Sequence, residues 1–192
     1  MHLNGKRVQS VLVTNAHFGT AQTGKVLKAT RDGNVGGRDY AIIQLPAPMP
    51  ADKMALLPLS AKADVRTLVI AAGYPGHLLQ FDPEFKKFKE NDLTAKPRII
   101  MSDGSIQGNP TLENGMPVVI HGAEISPGNS GGPLIDDCGR IIGINTFGSL
   151  EEQTFRTARF ALGGADVVDF LKAEGFEVKT DDAACPPPAG RR

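Results

Sequence analysis

Short runs of β-branched and other apolar residues, nearly all separated by Gly or Pro, set the rhythm of this chain. Val8-Gln9-Ser10-Val11-Leu12-Val13 is the first, followed by Lys25 to Thr30, Tyr40 to Leu45, Leu68 to Ala72 and Arg98 to Met101. Pro117 to Ile120, Pro133 to Ile135, Arg140 to Thr146 and Thr157 to Leu162 continue the series. No helical pattern alternates with these runs, so the order speaks against βαβ units and predicts an all-β fold of antiparallel barrels or sandwiches. One segment breaks the rhythm. Val167, Val168, Phe170 and Leu171 fall on one helical face, Asp166 and Asp169 sit near its start, and Gly175 follows its last apolar turn, which predicts one C-terminal helix over residues 164–176. Beyond it, Asp181-Asp182-Ala183-Ala184-Cys185 and three prolines read as a flexible tail over 177–192. The stretch from His77 to Lys96, with Phe81, Phe85 and Phe88 among charged residues, reads as a long inter-strand excursion, either a short helix or a substrate-facing loop. The Pro-rich run 45–50 and the segment after it, to Ser60, mark the best internal boundary, dividing the chain into residues 1–60 and 61–163.

Composition narrows the class of partner. With 21 basic and 21 acidic residues the formal net charge is zero, so the chain lacks the positive field by which nucleic acid or an anionic membrane would be held. No apolar run approaches the roughly 18 residues of a membrane-spanning helix, and the polar start, Met1 to Arg7, has no signal-peptide core. Glycine (22) and proline (14) are abundant enough to favour turns and short strands over helices. The two cysteines, Cys138 and Cys185, are too few for a disulfide framework, and one bridge between them is compatible with the count without being required by it.

The candidate chemistry centres on Gly128-Asn129-Ser130-Gly131-Gly132-Pro133. A serine becomes a nucleophile when a base takes its proton and N–H donors await the oxyanion. Glycines around Ser130 permit a tight turn, Gly128-Asn129-Ser130, in which the N–H groups of Gly128 and Ser130 converge as oxyanion donors. The pattern also fits the nucleophile elbow of α/β-hydrolases, in which acid and histidine follow the serine. All four histidines here, His2, His17, His77 and His121, precede Ser130 and remove that option. A subtilisin order survives only with His77 or His121 as base, and no serine has the S-x-x-K spacing of a Ser-Lys mechanism. The order histidine, acid, serine remains. His17 ends an apolar strand in a polar turn, and Asp39 opens the apolar run Tyr40 to Leu45, where burial would set the carboxylate against the imidazole; Asp32 is the other acid available. His121 reads as a strand-end residue.

With these segments in hand, the chain resembles the trypsin-like serine peptidases, especially the bacterial branch that includes HtrA proteases and glutamyl endopeptidases. Val13-Thr14-Asn15-Ala16-His17 is similar to that branch's histidine motif, and Arg38-Asp39-Tyr40-Ala41-Ile42-Ile43-Gln44-Leu45 to its aspartate strand. Glu124 to Pro133, followed by Gly139 to Thr146, is similar to the serine loop and the next hairpin, and Ala72-Gly73-Tyr74-Pro75-Gly76 to a turn common in the branch. The resemblance implies two antiparallel Greek-key barrels, His17 as general base, Asp39 as its orienter and Ser130 as nucleophile. It further implies oxyanion donors in Gly128-Asn129-Ser130, a protein or peptide substrate, no metal or cofactor, and a secreted or periplasmic setting. Thr146-Phe147-Gly148 would form the wall that pairs with substrate backbone. Glu124 would lie at the base of the primary pocket and select Lys or Arg; the alternative is that it points to solvent or pairs with a nearby base. Asn145 stands where glutamate-specific relatives carry histidine, which disfavours cleavage after acidic residues.

Departures from the family shape further expectations. Asn129 replaces the aspartate that pairs with a newly cut N-terminus in zymogen-activated trypsins, so that activation route is not expected. No stretch of PDZ size follows residue 163. Only residues 1–16 precede His17, where the family places about two more strands, so the expectation is a first barrel that is either N-terminally incomplete or compact and degenerate, and the interval from His17 to Asp39 is short for the family. An open barrel exposes strand edges. It is the best reason to keep two rival readings, a non-catalytic protein-binding module that retains the fold and, sharing the same chemistry, an esterase for small esters.

Overall fold

The computed structural model describes residues 2–3, 6–31, 37–54, 56–151 and 156–185. It divides into two compact units, one of Met1–Leu56 with His77–Arg98 and the other of Leu57–Gly76 with Ile99–Arg192. Eleven strands and three α-helices are described, and none of the described helices is long and apolar enough to cross a membrane.

In the first unit, β1 (His2–Leu3) and β2 (Lys6–Arg7) form a two-stranded ribbon. The strands β3 (Ser10–Val13), β4 (Gln22–Arg31) and β5 (Asp39–Gln44) form an open antiparallel sheet in the order β3-β4-β5. Among the described residues the expected first barrel is therefore this three-stranded sheet. The excursion after His77 is helical, with α1 (Gly76–Leu79) followed by α2 (Pro83–Lys89). Local chemistry explains α2. Asp82 caps it by accepting from the Glu84 N–H at 2.8 Å, and Pro83 follows, where no internal N–H partner is needed. Three hydrogen bonds tie the segment after α2 to the loop after β3: Ala21 N–H to Leu93 O (2.6 Å), Thr20 Oγ1 to Leu93 O (3.2 Å) and Thr14 Oγ1 to Ala95 O (3.4 Å). That is why residues 77–98 group with the first unit and not with the expected second one.

The second unit is a closed six-stranded barrel of β6 (Leu68–Gly73), β7 (Ile100–Gly108), β8 (Val118–His121), β9 (Pro133–Asp136), β10 (Ile141–Glu151) and β11 (Arg156–Gly163), in the order β10-β11-β8-β7-β6-β9. Closure leaves no free edge. Period-two alternation fills it: Val69 and Ala71 of β6, Ile106, Val119, Leu134, Ile142 and Ala161 point into one cluster with Ala123. Each Val, Leu or Ile buried this way contributes roughly 1.5–3 kcal/mol. The strand β7 runs beyond the expected end at Met101, through Ser102-Asp103-Gly104-Ser105 to Gly108, because β6 and β8 pair with it on both sides. Helix α3 (Gly164–Ala173) buries Val167, Val168 and Phe170, close to the predicted span.

The expected flexible tail needs correction over 177–185. Leu59 bridges in parallel to Thr180, and the Asp182 carboxylate accepts from Ser60 Oγ and Ala61 N–H, both at 2.8 Å. Buried Arg140 pairs with Asp136 at 2.7 Å and donates to the Ala183 carbonyl, and Cys138 and Cys185 form a disulfide with a Cα–Cα distance of 5.8 Å. Composition suggested disorder because none of these partners is local in sequence. The rest of the expected tail, 186–192, lies outside the described residues.

Candidate active site

The loop between β8 and β9 carries Ser130, and its hydrogen bonds divide its backbone into used and unused groups. Asn129 N–H donates to Ser126 O at 2.9 Å, while the Asn129 Oδ1 accepts from Ser126 N–H at 3.0 Å. Gly132 N–H donates to Asn129 O (2.9 Å), Gly131 N–H to Asn145 O (2.8 Å), and Asn145 N–H returns to Gly132 O (2.8 Å). Tyr74 N–H and Gly76 N–H hold the outer side through Gly128 O and Pro127 O. Among the described residues, the N–H groups of Gly128 and Ser130 alone in the 128–132 turn have no acceptor. These are the two donors expected for an oxyanion. Asn129, expected with them, is corrected: its N–H is consumed by Ser126, and its 3% exposed side chain braces the loop.

Glycine is required here by space as well as by dihedral. At Gly128, with φ of +105°, a Cβ would lie 2.2 Å from the Tyr74 carbonyl oxygen. At Gly132 a Cβ would lie 2.2 Å from the Ala72 carbonyl oxygen. The turn from Ala72 to Gly76, noted in the sequence only as a resemblance, is thus the floor on which the serine loop rests. An Asn129→Ala variant is expected to lose about 1–3 kcal/mol, since a buried loop N–H loses its acceptor, and a urea melt measures it.

Ser130 is exposed, and its Oγ donates to the Thr146 carbonyl oxygen at 2.8 Å. A break in the β10–β11 register makes that carbonyl available: Asn145 pairs with Ala161 and Phe147 with Phe160, leaving Thr146 as a bulge residue outside the ladder. Thr146 thus faces the nucleophile. The backbones of Phe147 and Gly148 continue β10 opposite Phe160 and Arg159, while their side-chain surroundings lie outside the description. Asn145 is fully buried, with Nδ2 donating to Pro133 O at 3.0 Å.

In the first unit, Asn15 shapes the His17 turn by accepting from His17 N–H through Oδ1 (2.9 Å) and from Phe18 N–H through its carbonyl (3.0 Å). Phe18 is buried beneath, which leaves His17 exposed. The expected burial of Asp39 is not found. Asp39 is the first residue of β5 and exposed; strand alternation turns it away from the face on which Tyr40 is buried. The two residues are also not brought together. Val13, just before the His17 turn, pairs with Gln22 at one end of the ten-residue β4, and Asp39 pairs with Arg31 at its other end. The alternative acid, Asp32, lies outside the described residues.

Of the two readings of Glu124, the structure shows the exposed one, paired with a nearby base, and not the buried pocket base. Its side chain is 85% exposed, and Oε1 lies 3.7 Å from Nη2 of Arg159. Beside Arg159, across β8–β11, stands His121, which is 1% exposed with neither ring nitrogen hydrogen-bonded. Burial, and then the Arg159 guanidinium, push its pKa down to about 4. The unfolded chain therefore takes up this proton first as pH falls below about 6.5, and the native state loses stability from there towards pH 4. His121→Phe is expected to flatten that slope, removing roughly 2–3 kcal/mol of difference between denaturant midpoints near pH 7 and pH 4.5.

Sequence and fold comparisons identify the family and the fold. Residues 3–144 match the model of the trypsin-like peptidase domain. Protease Do-like 1, chloroplastic, of Arabidopsis thaliana is 32% identical over 153 residues, covering 72% of this chain and 30% of its own length. The putative serine protease HhoA of Synechocystis sp. is 32% identical over 176 residues, covering 85% of this chain and 39% of its own length. The chain thus spans about a third of the length of these curated relatives. In fold it is similar to the HtrA-type protease AlgW, solved with a decapeptide, with a TM-score of 0.59 at 18% identity over 85% of this chain and 43% of that one. With a match over most of its length and a barrel carrying a serine loop of the expected form, the chain belongs to the trypsin-like peptidase family.

Proposed function

We propose that this chain is a serine endopeptidase acting on protein or peptide substrates, with Ser130 as nucleophile and His17 as general base. The observation that carries this reading is the serine loop, in which every other backbone N–H of the 128–132 turn is consumed and those of Gly128 and Ser130 are left for an incoming oxyanion. In the proposed reaction the Ser130 Oγ releases the Thr146 carbonyl, attacks the peptide carbonyl carbon and passes its proton to His17. The two free N–H groups stabilise the tetrahedral oxyanion. Collapse expels the amine with the proton from His17 and leaves an acyl-Ser130 ester, which water hydrolyses by the same steps in reverse roles. Asp39 is proposed as the orienting acid on its motif alone, against its placement at the far end of β4.

Hydrolysis of an unfolded protein substrate by single variants tests these roles. His17→Ala is expected to lose about 10³-fold or more, and Asp39→Asn about the same if it orients the imidazole. A loss under tenfold for Asp39→Asn would leave His17 and Ser130 without it. The rival reading, a binding module that retains the fold, is favoured by one feature, the Ser130 hydroxyl donating to the Thr146 carbonyl oxygen at 2.8 Å. Retained binding of an unfolded protein with no hydrolysis by the intact chain would select it.

A further inference from the structure

The barrel end beside the serine loop holds a cation, Arg159, with only one loose partner among the described residues. Arg159 lies on β11 opposite His121 of β8, and on its other side opposite Gly148 of β10. Gly148 is two residues along from Thr146, whose carbonyl holds the nucleophile. Arg159 is therefore one strand across and a short step along from Ser130, within the same unit.

Strand alternation sets its direction. Ala161, two residues on, is buried in the barrel with Val119, its partner on β8, so Arg159 and His121 extend the same inward face towards the barrel end. Only 22% of the Arg159 side chain is exposed, and Nε is buried without an acceptor. Neither nitrogen of His121 supplies one. The nearest carboxylate, Glu124, stays 85% exposed at 3.7 Å, a loose pairing of the kind that contributes little. A half-desolvated guanidinium with donors to spare favours an anion, whereas a hydrated carboxylate at the rim has no comparable need for a cation.

We propose that Arg159 is the specificity residue of this site and selects substrates with an acidic side chain, Asp or Glu, on the residue whose carbonyl Ser130 attacks. This rests on the peptidase reading above and refines it. It reverses the expectation drawn from Asn145 and Glu124, because the charge facing inward is the arginine. The carboxylate of the substrate would bind the Nη and Nε donors, displacing the loose contact of the already exposed Glu124.

The test compares kcat/KM for matched peptides carrying Asp, Glu, Ala or Lys at that residue. The intact chain is expected to prefer the acidic peptides by tenfold or more. Arg159→Gln is expected to lose roughly 10²-fold on acidic peptides while changing the alanine peptide by less than threefold, with Arg159→Lys between them. Glu124→Gln, which removes the competing carboxylate, is expected to raise the acidic preference. A structural role for Arg159 would depress all four peptides together, and that result, a lysine preference, or a lowered acidic preference in Glu124→Gln each overturns the proposal. Fluorophosphonate labelling separates the failures. If Ser130 is labelled and the alanine peptide is cleaved without acidic preference, Arg159 alone loses its role; if Ser130 is unlabelled and nothing is cleaved, the peptidase reading falls and this inference with it.

Discussion

Replacing Ser130 with alanine is expected to lower peptide hydrolysis by about 10³-fold or more while moving stability by less than about 0.5 kcal/mol. The two halves of that expectation come from different parts of the loop. Activity depends on the hydroxyl, because no other side chain in the turn offers a nucleophile. Stability does not, because Ser130 is exposed and its Oγ makes a single hydrogen bond to the bulge carbonyl of Thr146, which water can replace. The loop is held by Asn129, Gly131 and Gly132, all of which remain. Steady-state hydrolysis of an unfolded protein, with a urea melt of the same preparation, reads both. A variant that lost activity and several kcal/mol together would mean that Ser130 is part of the loop's framework.

The second large effect is on stability. Cys138 and Cys185 close a loop across a sequence separation of 47, for which chain-entropy arguments give about 4 kcal/mol. The bridge also holds the end of the 179–185 segment, so that Arg140, Asp181 and Asp182 meet partners already in place. Cys138→Ser with Cys185→Ser is expected to cost about 2–4 kcal/mol in denaturant melts, and reduction of the native chain should give the same loss. Hydrogen exchange should rise first at Asp181 and Ala61, whose N–H groups bond to Leu59 O and the Asp182 carboxylate. A loss below about 0.5 kcal/mol would show that the ion pairs and capping bonds hold the segment unaided.

Local chemistry was legible in the sequence, and long-range geometry was not. The serine loop could be read because its bonds close within a few residues and its glycines answer to dihedrals that sequence reveals. The strands of the barrel could be read from alternation, as in Leu68 to Ala72, where Val69 and Ala71 are buried. Helix α3 was visible from the spacing of Val167, Val168 and Phe170. By contrast, the strand read from Arg98 to Met101 continues to Gly108, which β6 and β8 make possible by pairing on either side. The tail looked free because Ser60, Arg140 and Cys138 are far from it in the chain. Asp39 looked buried because Tyr40 to Leu45 is apolar, yet the alternation that buries Tyr40 exposes its neighbour. Arg159 went unnoticed since its importance depends on the register that sets it beside His121 and opposite Gly148, which no spacing discloses.

The catalytic reading requires that Ser130 be activated by His17. Treating the folded chain with a fluorophosphonate and locating the adduct by mass spectrometry tests this directly. The expected result is a single adduct on Ser130 that disappears in His17→Ala while the fold, checked by its urea melt, persists. A folded chain that stays unlabelled, or that labels Ser130 equally well without His17, would contradict it.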